Sequence, residues 1–169
     1  MQEQIERIHP DQADVLRDLR LRGLEEAPEA FGPRYTDIAA RPKEYWHQHV
    51  LHYASSQDSA TFLLYRNGKP VGMAGAYLEG SRRDHAYICN MWVDPTYRRG
   101  GAGGRLVDTA TRWLAEQGVE RINAWVVETN TTALRFYETL GFVRDKNRRQ
   151  MPSSPEAQEI LLVFDTALL

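Results

Sequence analysis

The stretch from residue 91 to residue 106 combines an apolar run, a Pro turn, two arginines, a cluster of glycines and the start of a helical pattern. Glycine has no Cβ, so backbone N–H groups in such a cluster can approach a ligand closely. The following helix adds unpaired N–H groups and the positive end of its dipole. Because the first acid in this helix is Asp108, we expect a ligand phosphate to supply the missing negative charge. The predicted anion-binding residues are Arg98, Arg99, Gly100, Gly101, Ala102, Gly103 and Gly104.

The spacing of these glycines excludes two common phosphate loops. The P-loop requires Lys-Ser/Thr after its second glycine, and the dinucleotide fingerprint requires a third glycine three residues after the second. Here Gly101-Ala-Gly103 continues as Gly104-Arg105-Leu106, which fits neither pattern. A flexible glycine-rich loop or an Arg-Gly patch for nucleic acid is the simpler alternative on composition.

A second block, residues 130–142, follows an apolar stretch and has the features of a well-capped helix. Asn130 is suited to the N-cap position, where its side-chain oxygen can accept a hydrogen bond from an early backbone N–H. Phe136, Tyr137 and Leu140 share roughly one helical face, and Gly141 ends the pattern. Taken alone, the block predicts a helix that packs against a core.

The elements around these two blocks alternate between strands and helices. The pattern predicts α/β architecture with no internal repeat, and it places the glycine cluster between a buried strand and a helix. Asn67-Gly68 predicts a hairpin turn. The predicted strands are 4–8, 61–65, 71–77, 85–93, 121–127, 142–143 and 159–164, the predicted helices cover about 11–24, 42–52, 102–117 and 130–140, and residues 144–158 are expected to form a polar connection.

Composition limits the possible classes of protein. A chain of 169 residues favours one domain, residues 1–169, and 42% hydrophobic with 26% charged residues is typical of soluble globular proteins. The net charge of −2 argues against nucleic acid or an anionic membrane as a partner. The single Cys89 cannot form an internal disulfide, and we expect a cytoplasmic protein because no signal-like segment opens the chain.

Both blocks resemble the GCN5-related N-acetyltransferase (GNAT) superfamily. The resemblance rests on Arg98-x-x-Gly101-x-Gly103 after Val93-x-Pro95, and on the Asn, Ala, Phe-Tyr and Gly-Phe of residues 130–142. It extends over residues 60–165 and more loosely over the N-terminal helices. It implies the mixed α/β GNAT fold: a central, mostly antiparallel twisted sheet of six to seven strands, about four flanking helices, and a splay between strands 85–93 and 121–127.

The resemblance also implies an activity, the transfer of an acetyl group from acetyl-CoA to a primary amine by direct attack in a ternary complex. Tyr137 would be the general acid that protonates the departing thiolate, and no metal is expected. Cys89 is expected to be an inert core residue. The resemblance assigns the pantetheine arm and the pyrophosphate to Met91, Trp92, Val93 and Asn130 together with the predicted anion-binding residues.

The general base and the acceptor are left open by the sequence. Related proteins often carry Glu or His where this chain has Tyr87 and Cys89, so Glu79, His85, Glu128 or a water held by Tyr87 are the candidates. The alternative functions are an inactive acyl-CoA-binding regulatory module and a nucleotide-binding domain with a parallel sheet. A homodimer is possible by analogy. Residues 27–32 are expected to cover the acceptor, and we expect solvated positions for the cluster of Arg144, Lys146, Arg148 and Arg149.

Overall fold

The computed structural model describes residues 2–152 and 154–169, and within them seven strands form one sheet in the order β1-β2-β3-β4-β5-β7-β6. All neighbouring strands pair antiparallel except β4 and β5, which pair parallel. This mixed, mostly antiparallel sheet confirms the predicted fold class and excludes a parallel nucleotide-binding sheet. The strands are β1 (Glu3–Arg7), β2 (Ser59–Arg66), β3 (Lys69–Leu78), β4 (Ala86–Val93), β5 (Arg121–Val127), β6 (Val143–Met151) and β7 (Ser154–Asp165).

Helices cover both faces of the sheet. One hydrophobic cluster joins the first three helices to Leu63, Met73 and Trp92, and a second joins the last two helices to the opposite side chains of the same strands. Four helices match the predicted ones, and the fifth, a helix of only five residues, was missed because it is shorter than a periodic pattern requires. The helices are α1 (Ala13–Glu26), α2 (Tyr35–Ala39), α3 (Lys43–Ser55), α4 (Ala102–Glu116) and α5 (Thr131–Thr139).

The hairpin between β2 and β3 turns where the sequence predicts it. Asn67 and Gly68 have φ values of 50° and 78°. A two-residue turn with positive φ at both positions matches the right-handed twist of the flanking strands. The turn pairs Arg66 with Lys69, and a register shift between Leu64 and Tyr65 then places Gly75 of β3 opposite Thr61 of β2.

Strands β4 and β5 separate soon after they begin. Their parallel ladder contains only the pairs Ala86–Ile122 and Tyr87–Asn123. Asn90 then adopts a left-handed backbone conformation with φ 49°, and the register between β3 and β4 shifts nearby. Such an irregularity bends a strand. The bend opens the predicted splay, which widens toward the carboxyl ends of both strands.

The prediction of a polar connection over residues 144–158 is wrong. These residues belong largely to β6 and β7, which pair antiparallel from Val143–Val163 to Gln150–Gln158. Strand β6 lies at the edge of the sheet and is exposed along almost its whole length, so it has no apolar face for the pattern to reveal. Hydrogen bonds to β7, rather than buried side chains, hold this segment in place.

Candidate active site

The separation of β4 and β5 leaves two facing strand edges without backbone partners. The opposite edge of β4 pairs with β3, and the opposite edge of β5 pairs with β7 over its full length. Along β4, alternate residues direct their N–H and C=O groups into the gap. The N–H of Asp94 donates a hydrogen bond to Val71 O at 2.8 Å, on the β3 side. The backbone groups of Trp92 therefore also point toward β3, and those of Met91 and Val93 point into the gap. The gap can accept an extended amide-bearing chain.

The turn that follows β4 is tied to α1. The Asp94 carboxylate accepts a hydrogen bond from Thr96 N–H at 2.9 Å and forms an ion pair with Arg22 at 2.7 Å. The guanidinium of Arg98 donates to Val93 O at 2.8 Å and to the Glu26 carboxylate. Arg98 is therefore neutralised at the end of α1, and its contribution to anion binding is smaller than the sequence predicts.

The backbone at the start of α4 is arranged to bind an anion. Gly101 is the N-cap residue with φ 80°, a conformation that costs other residues roughly 1–2 kcal/mol. No acidic side chain lies in the first turn of α4, and no side chain in the described part of the chain accepts from the N–H groups of residues 102–104. These N–H groups point along the helix axis toward the open end of the gap.

Two cations flank this helix start. Arg105 donates to both carboxylate oxygens of Glu3, at 2.6 and 2.7 Å, and this hydrogen bonding lowers the pKa of Glu3. Arg66 of β2 also pairs with Glu3, and its guanidinium lies beside Gly100. The sequence did not predict Arg66 as part of this site, because it precedes Gly100 by 34 residues. Arg99 is exposed and has left-handed φ of 75°. The side chains in and around the glycine loop, residues 98–104, therefore carry a net positive charge.

Two glycines of the loop, Gly103 and Gly104, allow neighbouring side chains to pack closely against the start of α4. A Cβ at Gly103 would lie 3.2 Å from the ring of Phe136 and 3.3 Å from Cε of Met91. A Cβ at Gly104 would lie 3.1 Å from Leu140. The absence of these Cβ atoms lets α4 pack closely on α5, so Gly103 and Gly104 act on the site by positioning its two helices.

Tyr137 lies on α5 with 7% of its surface exposed, packed edge-to-face against Phe136 and Phe142. Its hydroxyl makes no hydrogen bond with any described residue. Burial raises the pKa of Tyr137, and the nearby Cys89 thiol adds to the rise. The phenol stays protonated at neutral pH and its O–H is available to a ligand.

Asn130 caps α5 as predicted. Its Oδ1 accepts a hydrogen bond from Ala133 N–H at 3.1 Å. The cap uses only the carbonyl half of the amide, so the side-chain NH₂ group retains two donors. Asn130 lies just beyond the carboxyl end of β5, at the wide end of the gap.

A cavity of about 600 Å³ lies between α3 and strands β2 to β4, on the face of the sheet opposite to α4 and α5. We call it the α3 cavity. Cys89 and Asn90 line it where β4 bends away from β5, and Tyr77 lines its sheet side. The 3-10 turn Pro28–Ala30 contacts β5 across the same face. The remaining lining residues used below are His49, His52, Tyr53 and Asp58.

Cys89 is not the fully enclosed residue that the apolar pattern predicts. It is partly exposed and lines the α3 cavity, where its Sγ lies 2.8 Å from a Cβ built at Gly75. Burial raises the pKa of its thiol to about 12. A protonated thiol is a poor nucleophile, so the structure gives Cys89 no covalent role.

The candidate bases occupy three separate places. Glu79 accepts a hydrogen bond from Tyr87. The ring of Tyr87 stacks on that of Tyr77, with 5.2 Å between the ring centres. The pKa of Tyr87 is raised, mainly by burial. His85 lies near Asp84 at the opposite end of β4 from the glycine loop. Glu128 is exposed after β5. Of these candidates none lines the α3 cavity, whereas His85 and Tyr87 line a second cavity at the start of β4 and β5.

His49 is a base candidate that sequence reasoning missed. Its Nδ1 lies 2.7 Å from Tyr45 O. Because a carbonyl oxygen only accepts, Nδ1 carries the proton, and in the neutral ring Nε2 has the free lone pair. His49 lines the α3 cavity with Cys89, whereas His47 is exposed. Among residues 2–152 and 154–169, no three His, Cys, Asp or Glu side chains are grouped to hold a metal ion.

The basic cluster near the C-terminus is divided among partners. Arg149 forms an ion pair with Glu159 at 2.9 Å and stacks over Trp125 at 4.4 Å. Arg144 pairs with Glu138 at 3.0 Å. These contacts replace the expected solvated loop with an ordered strand at the edge of the sheet.

Comparison with known proteins identifies the class that this fold and site define. A family model described as the acetyltransferase (GNAT) family matches residues 22–142, more than half of the chain. The chain belongs to this family, which uses acetyl-CoA as its donor. The match includes the glycine loop, Asn130 and Tyr137.

Individual relatives agree with this family. The chain is 31% identical over 114 residues to the ribosomal protein bS18 alanine N-acetyltransferase of Escherichia coli K12, covering 66% of this chain and 75% of the relative. It is 30% identical over 105 residues to an uncharacterized N-acetyltransferase of Methanocaldococcus jannaschii, covering 59% of this chain but only 46% of the relative. A GNAT-family acetyltransferase structure from Streptococcus pneumoniae superposes with a TM-score of 0.79 at 21% identity, over 96% of this chain and 98% of that one.

None of the helices formed by the described residues is long and apolar enough to cross a membrane.

Proposed function

We propose that the protein transfers an acetyl group from acetyl-CoA to a primary amine of a small molecule or peptide, by direct attack in a ternary complex. The observation that carries the proposal is the short parallel ladder between β4 and β5, which ends at Tyr87–Asn123. Beyond it, two free strand edges open toward the unpaired N–H groups of α4. An extended amide chain that ends in a pyrophosphate matches both features.

The donor would be held mainly by backbone groups. Met91 and the N–H of Val93 would pair with the pantetheine arm, since Arg98 already occupies Val93 O. The N–H groups of residues 102–104 would bind the pyrophosphate, with Arg99, Arg66 and Arg105 adding positive charge. The amide NH₂ of Asn130 would contact the arm near its middle.

Tyr137 would donate a hydrogen bond to the leaving sulfur. Its raised pKa keeps the phenol protonated, and its O–H has no partner among the described residues to compete for it. An aliphatic thiol, with an ordinary pKa near 8.5, is a stronger acid than a phenol near 10. Tyr137 would therefore stabilise the developing thiolate chiefly by hydrogen bonding, and protonate it as the C–S bond breaks.

His49 would accept the proton of the attacking amine. Its Nδ1 is fixed by Tyr45 O, which leaves Nε2 as the proton acceptor in a cavity that Cys89 also lines. Glu79 is the weaker candidate, because it is exposed and its carboxylate already accepts from Tyr87. Imidazole is the commonest general base near neutral pH.

The test is incubation with acetyl-CoA and a panel of primary amines, followed by release of free thiol and the mass of the product. Amine-dependent thiol release with a gain of one acetyl group supports the proposal. If acetyl-CoA raises the melting temperature but no amine releases thiol, the alternative of an inactive acyl-CoA-binding module is favoured. Absence of any effect of acetyl-CoA overturns both.

The single domain over residues 1–169, the cytoplasmic location and the homodimer stay predictions. The Escherichia coli relative is named as an N-acetyltransferase for an alanine of ribosomal protein bS18, so peptide amines belong in the first panel.

A further inference from the structure

Arg149 reaches from the edge strand β6 across β7 to β5, the strand that borders the gap. Its Nε donates a hydrogen bond to Glu159 Oε1 of β7 at 2.9 Å, and its guanidinium carbon lies 4.4 Å from the ring centre of Trp125 on β5. Glu159 is only 8% exposed, so its position is fixed by the residues around it. These two contacts hold the guanidinium plane in one orientation, and little rotamer entropy is left to lose when a ligand binds to it.

The strand register places Trp125 beside the gap, on the same face of the sheet as Cys89. The parallel ladder ends at Tyr87–Asn123, and Cys89 on β4 and Trp125 on β5 each lie two residues beyond this pair. Side chains two residues apart on a strand share a face of the sheet. Cys89 lines the α3 cavity. The guanidinium of Arg149, stacked on Trp125, therefore lies on the side of the gap opposite to the α3 cavity.

The charge of Arg149 also acts on the two stacked tyrosines beside the gap. Burial raises the pKa of Tyr77 to about 12 and raises the pKa of Tyr87 as well, and in both cases the positive charge of Arg149 opposes the rise. Tyr77 lines the α3 cavity, whereas Tyr87 lines the second cavity together with Leu161, the residue paired with Trp125. This effect agrees with the position that the strand register gives.

Most of the donors of Arg149 are available to a ligand. Its Nε has an acceptor, whereas the N–H groups of Nη1 and Nη2 donate to no residue of 2–152 or 154–169, and the side chain is 44% exposed. The hydrophobic cluster formed by the first three helices includes no described residue of β5, β6 or β7, so these helices leave this part of the sheet open. A planar fork of N–H groups matches a carboxylate, which accepts two parallel hydrogen bonds.

The two other arginines of the basic cluster have partners elsewhere. Arg144 pairs with Glu138 of α5, and Arg148 donates to backbone carbonyl groups of its own strand. Glu159 offsets part of the positive charge of Arg149. The site therefore favours an anion that accepts hydrogen bonds from the fork over one that is attracted by charge alone.

We propose that Arg149, positioned by Glu159 and Trp125, binds a carboxylate of the acceptor, so that the enzyme prefers a primary amine with a carboxylate a few bonds from the nitrogen. The amine would face the α3 cavity and His49, with the carboxylate across the gap against Arg149. Two sources have this chemistry: the α-carboxylate of a free amino acid, and the side chain of an acidic residue at a peptide N-terminus. The assignment rests on the proposed function, since it names the substrate class of that site.

The test measures kcat/KM with acetyl-CoA for acceptors that differ in one carboxylate. Amino acids against their α-carboxamides test the first source, and peptide amides that begin with Asp or Glu against those that begin with Asn or Gln test the second. We expect the acid to be preferred roughly 30-fold in one of the two comparisons, the size of a lost charge-assisted hydrogen bond.

Variants of β6 then assign the preference to one side chain. In Arg149→Met, kcat/KM for the preferred acid falls by about the same factor, and the ratio of acid to uncharged acceptor approaches one. Arg149→Lys keeps the charge but not the fork and retains part of the preference. Arg148→Met is the matched control, since it removes the neighbouring arginine whose partners lie in its own strand, and it leaves the ratio unchanged.

The outcomes separate this proposal from the proposed function. Equal kcat/KM for acids and uncharged acceptors in both comparisons overturns the carboxylate site and leaves the acetyltransferase standing. An unchanged ratio in Arg149→Met, with equal losses for both acceptors, gives Arg149 a structural role and also overturns the site. Thiol release with no acceptor at all overturns the proposed function and the site with it. If Arg149→Met does not fold, the double variant with Glu159→Gln, which leaves no buried charge unpaired, replaces it.

Discussion

The two sides of the β4–β5 gap are built in different ways. The proposed donor side consists mainly of backbone: the facing edges of β4 and β5, the N–H groups of α4, and Gly101 in left-handed conformation. The proposed acceptor side, the α3 cavity, is lined by residues of α3 and of three strands, together with Asp58 before β2. Backbone recognition tolerates sequence variation but requires fixed conformations. Side-chain recognition can change with single substitutions, so under the proposed function we expect the acceptor side to set the specificity.

The largest effect is expected from loss of the donor side through Gly101→Val. A β-branched residue at φ 80° is strained, and its Cβ would lie 2.8 Å from Arg105 Nη1. We expect acetyl-CoA affinity to fall more than about 100-fold, because relief of the strain reorients the N–H groups of α4. Isothermal titration calorimetry measures the change.

The matched control is Gly68→Val. Gly68 has φ 78° with open space around a built Cβ, so the substitution imposes similar strain in a distant hairpin. Equal losses of affinity in both variants would show that strain alone, and not the start of α4, is responsible.

Tyr137→Phe is expected to lower kcat by about 1,000-fold while acetyl-CoA affinity stays within a few-fold of wild type. The hydroxyl has no described partner, so its removal leaves no buried group unsatisfied and stability changes little. Steady-state kinetics give kcat, and isothermal titration calorimetry gives the affinity for acetyl-CoA. Tyr35→Phe, which removes an exposed hydroxyl from α2, is the control. An unchanged kcat would remove Tyr137 from the chemistry.

His49→Ala is expected to lower kcat by about 100-fold, since solvent replaces the imidazole inefficiently. Added imidazole should restore part of the activity by binding in the space that the side chain vacates. The control is His47→Ala, which removes an exposed histidine of the same helix that does not line the cavity; its kcat should equal that of wild type and should not rise with added imidazole. If Glu79→Gln is impaired and His49→Ala is not, the proton acceptor is the Glu79–Tyr87 pair.

The smallest effect concerns the pH dependence of stability at Cys89. Its pKa is raised from 9.0 to about 12 in the folded protein. The thiol therefore contributes stability below pH 9 that is lost as the pH rises toward 12, by at most about 1.4 kcal/mol per pH unit. Urea unfolding at several alkaline pH values should show a steeper decline for wild type than for Cys89→Ala. Parallel declines would contradict a raised pKa of the Cys89 thiol.

Local patterns were sufficient to predict the structural elements of the proposed donor side. The Asn67-Gly68 turn, the cap at Asn130 and the glycine at the start of α4 each depend on the φ preferences or hydrogen bonds of adjacent residues. The edge strand β6 was not predictable in this way. Its pairing depends on β7, and its exposed side chains follow no period.

The sequence by itself determined the family, the strand–loop–helix proposed to bind the donor, and the position of Tyr137 on a helix that follows it. These features are encoded within short segments, where neighbouring residues fix the backbone. Tertiary structure alone decided that Arg98 pairs with Glu26 and that His49 lines the cavity. Each of these depends on contacts between residues far apart in the chain, whose distances no local pattern specifies.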